Sequence, residues 1–373
     1  MQLVHVWIRS ESRGTERRAP VVPADVPLLL DAGFEVTVEE SAQRVFAIEE
    51  YAAAGAAVAE EGSWTNAPRD AYVLGIKELP DEPEALRHRH IYFAHAFKGQ
   101  EDARQVLERF RRGGGQLLDI EYLVGDNGQR VVAFGHWAGY VGAALGVLHL
   151  AGSLVAPLAP MAKHELDAEL KRAGGGGVDQ LLALVTGARG RSGRGAQQAL
   201  MTAGVPTTRW DRRETLDLHK QALLGHDLLV NCVVTHTPTT PFVEQADLDH
   251  ERRLRVLADV TCDVTGPTNM LPVNIEITTW ERPVRRLAEG SPSDASPPLE
   301  VIAIDNLPSL LPREASEGFS ADLTPHLLGL GDDGGPSAPW RAAGRTFDQA
   351  IYELGPRRPH SVDHRDGAQV EGR

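Results

Sequence analysis

Cysteine is scarce in this sequence, which has only Cys232 and Cys262 among 373 residues. Both lie in apolar, strand-like runs, so we interpret them as buried thiols in a reducing compartment. No cysteine or histidine has neighbours at the spacing of metal ligands, so we expect no metal site.

Long apolar runs are also missing. No run approaches the ~18 residues that a membrane span requires. Residues 1–8 are too short and too polar at their flanks for a signal peptide and instead predict a first strand. We therefore expect a soluble, cytoplasmic protein without a membrane partner.

Basic residues are outnumbered, with 38 Lys and Arg against 52 Asp and Glu and a net charge of -14. This balance argues against nucleic acid as the main partner, because phosphate binding needs clustered Lys and Arg. It leaves room for a local basic pocket that binds an anionic metabolite. The length and the 42% of hydrophobic residues suffice for two domains, each with its own core.

Strand-like and helix-like stretches alternate over the first 140 residues. The pattern predicts helices at 22–32, 48–54 and 101–111, and strands at 4–8, 34–39, 71–76, 91–94 and 116–120. Such alternation predicts a mostly parallel sheet with helices on both faces.

A second alternation of strands and helices runs to about Leu311. The small, apolar residues 138–158 predict a buried helix that packs closely against another element and leads into a second domain. Residues 287–298 are rich in Pro, Ser, Glu and Asp and predict an exposed loop. The tail from Pro356 is polar and predicts disorder.

An apolar strand at 181–186 runs into a glycine-rich turn and then a helix at 193–203. Glycines allow a tight turn and a close approach of the backbone to a pyrophosphate, and the helix N-terminus offers free N–H groups. The spacing is G-x-x-G-x-x-G, not the usual G-x-G-x-x-G. We predict that the cofactor is bound by Gly187, Arg189, Gly190, Arg191, Ser192 and Gly193.

Asp211 follows the next predicted strand, 207–210. It lies 24 residues after Gly187, close to where an acidic group binds the adenosine ribose. An acid there favours NAD over NADP, although Arg212 and Arg213 weaken that preference. The alternative is a glycine loop followed by a charged turn without a ligand.

Four segments resemble saccharopine dehydrogenase (NAD, lysine-forming), a relative of alanine dehydrogenase and of the transhydrogenase nucleotide-binding subunit. They are GIKELP at 75–80, FAHAFK at 93–98, RVVAFG at 130–135 and IDNLPSLLPRE at 304–314. The resemblance extends from about Trp7 to Tyr352. It implies an α/β fold of two Rossmann-like domains with mostly parallel sheets flanking a cleft. Residues 1–137 with 325–373 would form the catalytic domain, and 138–324 the dinucleotide-binding domain.

Lys77 and His95 each follow a predicted strand. A lysine held at a strand end beside a cleft can lose its charge by desolvation and act as a base. An imidazole titrates near neutral pH. Taken singly, Lys77 is more commonly a surface lysine and His95 a structural histidine. The resemblance implies that Lys77 deprotonates the secondary amine and that His95 is the acid–base group for water addition to the imine.

The resemblance also implies a substrate site. Arg18, Lys98 and Arg130 match the anion-binding positions, and arginine suits bidentate binding of carboxylates. The other predicted members of the two ligand sites are Glu78 and Phe134 for the substrate and Asp305 near the nicotinamide. The alternatives are a solvated basic run at Arg18, a surface arginine at Arg130, a solvent-facing Glu78 and a helix cap at Asp305.

The sequence departs from the family near the expected cleft. Ser192 stands where fungal members carry a cysteine, so no disulfide can join this loop to Cys232. His136 and Trp137 replace an aromatic pair, and VTGPTNM at 264–270 replaces the more usual Asn-Pro-His-Asn-Pro. These changes predict an altered pocket for the amine, for which lysine is the first candidate.

The sequence therefore predicts an NAD(H)-dependent opine-type dehydrogenase. It would interconvert saccharopine, or a close analogue, with 2-oxoglutarate and an amino compound. One alternative is deamination of a primary amino acid, as in alanine dehydrogenase, although Arg18 and Lys98 argue against so small an oxo acid. Another is an NAD(H)-binding protein without catalysis. We expect a monomer or small homo-oligomer.

Overall fold

The computed structural model describes residues 3–97, 103–125, 128–176, 180–235, 237–290, 296–331 and 335–355. These residues form two six-stranded sheets. The predicted Lys98 and the polar tail from Pro356 lie outside the described residues.

The first sheet is entirely parallel. Its strands are β1 (Val4–Ile8), β2 (Phe34–Glu39), β3 (Ala57–Ala59), β4 (Tyr72–Leu74), β5 (Arg89–Tyr92) and β6 (Gln116–Asp119). They lie in the order β3-β2-β1-β4-β5-β6. The order of strands reverses between β1 and β4, and open α/β sheets bind ligands outside the carboxyl ends of the strands at such a point.

Three helices follow strands of this sheet: α1 (Val26–Asp31), α2 (Ile48–Ala53) and α3 (Ala103–Gly113). The helix predicted at 22–32 is shorter in the structure, where a 3-10 turn, Pro23–Asp25, precedes it. Proline has no N–H for a helical hydrogen bond, so Pro23 and Pro27 are tolerated only in the first turns of these elements.

Two helices connect the sheets, α4 (Gly135–Leu150) and α5 (Lys163–Gly174). The predicted close packing of the first is confirmed: a Cβ on Gly139 would lie 1.8 Å from the Ser192 carbonyl oxygen. Its predicted end at residue 158 is wrong. The helix stops at Leu150, and Gly152 then takes a positive φ of 67° that turns the chain away.

The second sheet contains β7 (Ala183–Thr186), β8 (Thr207–Trp210), β9 (Leu228–Asn231), β10 (Val256–Asp259), β11 (Arg285–Ala288) and β12 (Leu299–Ile302). Its order is β11-β12-β10-β9-β7-β8, with only β11 antiparallel. The loop predicted at 287–298 therefore begins too early, because Leu287 and Ala288 belong to the charged edge strand β11. Residues 291–295 lie outside the described chain.

Five further helices complete the described structure: α6 (Arg191–Thr202), α7 (Arg212–Leu216), α8 (Lys220–Leu224), α9 (Pro312–Leu328) and α10 (Ala338–Glu353). Phe319 and Leu323 of α9 pack in the buried cluster that contains Val6 and Ile8 of β1. The hydroxyl groups of α9 also accept backbone N–H bonds from the loop before α1. We therefore propose that α9 forms part of the first domain.

Candidate active site

Lys77 lies three residues beyond the end of β4, at the carboxyl edge of the first sheet. Its side chain is half-buried. Burial lowers the pKa of the ammonium group, and the guanidinium of Arg18 lowers it further. The carboxylates of Asp305 and Glu16 oppose this effect without cancelling it. The net effect is a pKa below the ordinary lysine value, a shift towards the neutral amine that a general base requires.

His95 follows β5, which is the parallel neighbour of β4. Its Nδ1 lies 3.3 Å from Oε2 of Glu121, and its side chain is 57% exposed. The hydrogen bond to Glu121 raises the pKa of the imidazole, although burial acts in the opposite direction. The backbone of His95 has a positive φ of 51°, which is uncommon for a residue with a side chain.

Glu121 was not among the predicted site residues. It follows β6, the strand next to β5, so three neighbouring strand ends present Lys77, His95 and Glu121 at one edge of the sheet. The signal that could have found it is its position: an acidic residue directly after the predicted strand at 116–120.

Arg18 is buried and already has partners. Its Nε and Nη2 donate to the two oxygens of Glu16 at 2.7 and 2.5 Å. Nη2 also donates to Asn306 Oδ1 at 2.9 Å, which ties the first sheet's side of the molecule to the segment after β12. The guanidinium lies 4.0 Å from the centre of the Phe134 ring, which stacks on Phe319. Sequence reasoning did not identify Glu16 or Asn306.

The other predicted substrate residues lie in different surroundings. Glu78 is exposed and pairs with Arg13 at 2.7 Å. Arg130 has a side chain that is 49% exposed, with Nη1 3.9 Å from Oε1 of Glu121. Phe134 lies beneath Arg18. The structure therefore places Arg130 near Glu121, the partner of His95. Glu78 instead forms an exposed salt bridge with Arg13.

Asp305 is exposed and follows β12 of the second sheet. Its charge acts on Lys77 and on Cys262, so the residue lies where the two halves of the molecule meet. The alternative that Asp305 caps the next helix does not hold, because Asn306 occupies the position before the 3-10 turn Leu307–Leu310.

The glycine-rich turn has the close approaches expected of a dinucleotide loop. Gly187 has a φ of 63°, and a Cβ there would lie 2.8 Å from the Cys232 carbonyl oxygen. A Cβ on Gly193 would lie 2.2 Å from the Gly187 carbonyl oxygen. Gly190 is the N-cap of α6, which begins at Arg191 instead of the predicted Gly193. The first N–H groups of α6 therefore border the turn.

A cleft of about 450 Å³ opens beside this turn. The cleft is lined by the turn, by the residues after β8 and by the segment after β9. The lining residues include Gly187, Gly190, Asp211, Arg212, Cys232 and Val233. Asp211 Oδ2 accepts the backbone N–H of Arg189 at 3.2 Å, and Oδ1 accepts that of Arg212 at 2.8 Å. The acid is thereby fixed at the mouth of the cleft.

Arg189, Arg191 and Ser192 differ in their surroundings. The Arg189 side chain is 92% exposed beside Asp211. Arg191 donates to the Val131 carbonyl at 2.9 Å and lies 3.4 Å from Asp322, so it contacts the other half of the molecule. Ser192 is half-buried against α4.

Both cysteines are free thiols, and burial raises the pKa of each. Within the described ranges, no group of three or more His, Cys, Asp or Glu side chains could hold a metal ion. In the same part of the chain, no helix combines the length and the apolarity needed to cross a membrane.

Comparisons with known proteins place this arrangement in context. Residues 7–141 match the family described as alanine dehydrogenase/PNT, N-terminal domain. The saccharopine dehydrogenase [NAD(+), L-lysine-forming] of Emericella nidulans is 41% identical, over 94% of this chain and 98% of that protein. Its namesake from Schizosaccharomyces pombe is 38% identical, over 94% of this chain and 99% of that protein.

Solved structures give the same picture of the fold. An L-alanine dehydrogenase aligns with a TM-score of 0.64 at 16% identity, over 94% of this chain and 100% of that one. A transhydrogenase from Sinorhizobium meliloti aligns with a TM-score of 0.61 at 16% identity, over 87% and 93%. The predicted α/β class, with two Rossmann-like units and mostly parallel sheets, is confirmed.

Proposed function

The chain belongs to the family of NAD⁺-dependent, L-lysine-forming saccharopine dehydrogenases, and from this premise we propose the reaction that it catalyses. Saccharopine or a close analogue, with NAD⁺ and water, is converted to an amino compound such as L-lysine, 2-oxoglutarate and NADH, or the reverse. The predicted family and enzyme class, an oxidoreductase acting on a CH–NH bond, are confirmed by these relatives.

One observation carries the proposed mechanism: a half-buried lysine lies among charged groups contributed by both halves of the molecule. Arg18 and Glu16 act on Lys77 from its own half, and Asp305 acts on it from the other. An amine that burial and a neighbouring cation hold towards its neutral form can accept a proton from the nitrogen of a secondary amine.

The residues of the second sheet fit a dinucleotide. Gly187 and Gly193 allow the tight turn because the backbone packs against both of them, and the start of α6 offers N–H groups to a pyrophosphate. Asp211, which follows the next strand, would accept the ribose hydroxyls and so favour NAD over NADP. When bound, the nicotinamide supplies hydride transfer, which the protein alone cannot perform.

His95 and Glu121 supply the remaining proton transfers. After the substrate carbon has been oxidised, water adds to the imine carbon and His95 accepts a proton from that water. The resulting imidazolium, stabilised by Glu121, then donates that proton to the nitrogen of the carbinolamine. As the carbon–nitrogen bond breaks, the hydroxyl group of the carbinolamine gives its proton back to His95 and becomes the keto group. The oxygen of the water thus ends in the keto group, one of its protons on the amine nitrogen and the other on His95.

The carboxylates of the oxo acid need cations. Arg130 is exposed beside Glu121 and is our candidate for a direct contact, together with Lys98. Glu16 and Asn306 accept hydrogen bonds from Nε and Nη2 of Arg18, so we propose Nη1 as the atom that contacts a substrate carboxylate. We also propose that the enzyme works as a monomer or small homo-oligomer.

The test is NADH consumption by the full-length protein with 2-oxoglutarate and a panel of amines, including L-lysine and L-ornithine. Pyruvate or glyoxylate with ammonia serves as the matched control. We expect turnover with 2-oxoglutarate and a diamino acid, with formation of the secondary amine seen by mass spectrometry. Protein that binds NADH yet turns over only the control pair would contradict the proposal.

A further inference from the structure

Two charged side chains beyond the end of β1 are buried and have no place in the reaction described above. Arg9 is 1% exposed and Glu11 is 6% exposed. They form an ion pair, with Nη1 of Arg9 3.3 Å from Oε2 of Glu11. The pair lies at the point where the strand order of the first sheet reverses, between β1 and β4.

Glu11 binds the backbone of the segment that carries Lys77. Its Oε1 accepts the N–H of Ile76 at 2.6 Å, and its Oε2 accepts the N–H of Lys77 at 3.0 Å. Both N–H groups lie beyond the last residue of β4 and so past the ladder between β1 and β4. Beyond the end of β4, the Glu11 carboxylate therefore replaces a neighbouring strand as the hydrogen-bond acceptor for these N–H groups. Its hydrogen bonds are charge-assisted and so stronger than neutral ones.

Arg9 binds the carbonyl groups of the same segment. Its Nη2 donates to the Lys77 carbonyl oxygen and lies 3.4 Å from that of Glu78. The guanidinium passes so close to Gly75 that a Cβ there would lie 2.5 Å from Arg9 Nε. The absence of a side chain at Gly75 is therefore a condition for this contact.

We propose that Arg9 and Glu11 are positioning residues that clamp the peptide units on both sides of the Lys77 Cα and so fix where its amine lies. The proposal rests on the proposed role of Lys77 as the base. Each side of Lys77 is held by one member of the pair: its N–H by Glu11 and its C=O by Arg9. Since the side chain of Lys77 is half-buried, a looser backbone would let more water reach its amine.

The structural alternative is that the pair only stabilises the fold. Replacing a buried ion pair by apolar residues is often neutral, whereas removing one partner alone is strongly destabilising. A stability measurement alone therefore does not separate the two roles. The reactivity of Lys77 itself does, because positioning changes the exposure of its amine.

The first test uses Gly75→Ala, which displaces the Arg9 guanidinium and leaves every charge in place. Full-length wild type and variant are treated by reductive methylation across a pH series, and the labelling of Lys77 and Lys163 is quantified by mass spectrometry. We expect the midpoint pH for Lys77 to rise towards that of an ordinary lysine, while the midpoint for Lys163 stays. An unchanged Lys77 midpoint in folded Gly75→Ala protein overturns the proposal.

The second test uses Glu11→Gln, which keeps the shape of the side chain and keeps the proposal testable should Gly75→Ala fail to fold. Its readout is kcat at a pH high enough for Lys77 to be neutral, so that loss of the Glu11 charge does not affect the result. We expect a fall of roughly 10–100-fold with an unchanged Kd for NADH, because misplacement of a catalytic group by ~1 Å can cost that much. Full kcat in folded Glu11→Gln protein overturns the proposal.

Two controls separate this inference from the proposed function. Ser12→Ala removes a hydrogen bond to the Glu78 carbonyl at the exposed end of the same segment and should leave Lys77 labelling unchanged. Labelling needs no substrate, so it reports positioning even if Lys77→Met were to retain activity. In that event the base assignment fails, and the labelling result still decides whether the clamp exists.

Discussion

The Glu16 carboxylate binds the Arg18 guanidinium through both oxygens, at 2.7 and 2.5 Å, and both side chains are buried. The pair lies next to Lys77, and its two charges act on the lysine with opposite sign. Arg18, first predicted as an anion-binding residue, is therefore also part of the electrostatic surroundings of the proposed base.

Replacing Glu16 by Gln should shift the pH dependence of the reaction to lower pH. The carboxylate raises the pKa of Lys77 while Arg18 lowers it, so its removal lets that pKa fall further. In the oxidative direction, the increase in activity that depends on neutral Lys77 then occurs at a lower pH. The pH dependence of kcat/KM for saccharopine measures this shift. A shift to higher pH would contradict the assigned effect of Glu16 on Lys77.

Asn306→Ala is the matched control for that experiment. It removes an uncharged partner of the same guanidinium, a hydrogen bond of 2.9 Å, and should cost about 1 kcal/mol of unfolding free energy. The pH profile should stay in place. Urea denaturation and the same kinetic assay measure the two quantities.

Replacing Glu121 by Gln should lower the pKa of His95, because the hydrogen bond that the imidazole donates to this carboxylate is the main cause that raises it. The imidazolium would then lose its proton at a lower pH. In the reductive direction, where a protonated His95 is needed to assist loss of water, activity should decline at correspondingly lower pH. NMR titration of the His95 imidazole checks the shift directly, and an unchanged or raised pKa would rule out the assigned role of Glu121.

Gly193→Ala should weaken NADH binding by at least about tenfold, equivalent to ~1.4 kcal/mol. Its Cβ would lie 2.2 Å from the Gly187 carbonyl oxygen, so the turn must move. Gly175→Ala is the control, because its φ is -70° and its nearest contact would be 3.7 Å. Fluorescence titration with NADH measures both variants, and equal affinities would contradict the assignment of the loop.

Asp211→Ser should narrow the preference for NADH over NADPH by about tenfold or more. In the proposed site the acid would repel a 2′-phosphate and accept the ribose hydroxyls, while Arg212, which lines the same cleft, would bind the phosphate. The ratio of kcat/KM for the two cofactors is the measurement. In the Asp211→Ser background, Arg212→Ser should reduce the activity with NADPH again. If Asp211→Ser leaves the ratio of the two kcat/KM values unchanged, the ribose binds elsewhere.

Much of the fold could be predicted because hydrophobic periodicity is local. The strands at 4–8, 34–39 and 207–210 have the predicted bounds. The positions of Lys77 and His95 at strand ends were accessible for the same reason. The alternation of strands and helices implies parallel pairing, and parallel strands direct their carboxyl ends to one edge.

The partners of these residues could not be found in this way. Glu11 and Lys77 are 66 positions apart and meet only because β1 lies beside β4, an order that periodicity does not specify. Arg9 and Glu11 have the composition of a solvated segment after a strand, yet both are buried. Asn306 and Arg18 lie 288 positions apart and meet only through the packing of the two halves.

The most direct test of the account is the full-length Lys77→Met variant, assayed with and without small primary amines in the medium. Acid–base groups typically contribute about 10²–10⁴-fold, so kcat in the oxidative direction should fall by that factor while the Kd for NADH stays within about twofold. Added ethylamine should restore part of the rate in proportion to its neutral form. A variant that retains the wild-type rate and pH profile would contradict the assignment of Lys77 as the base.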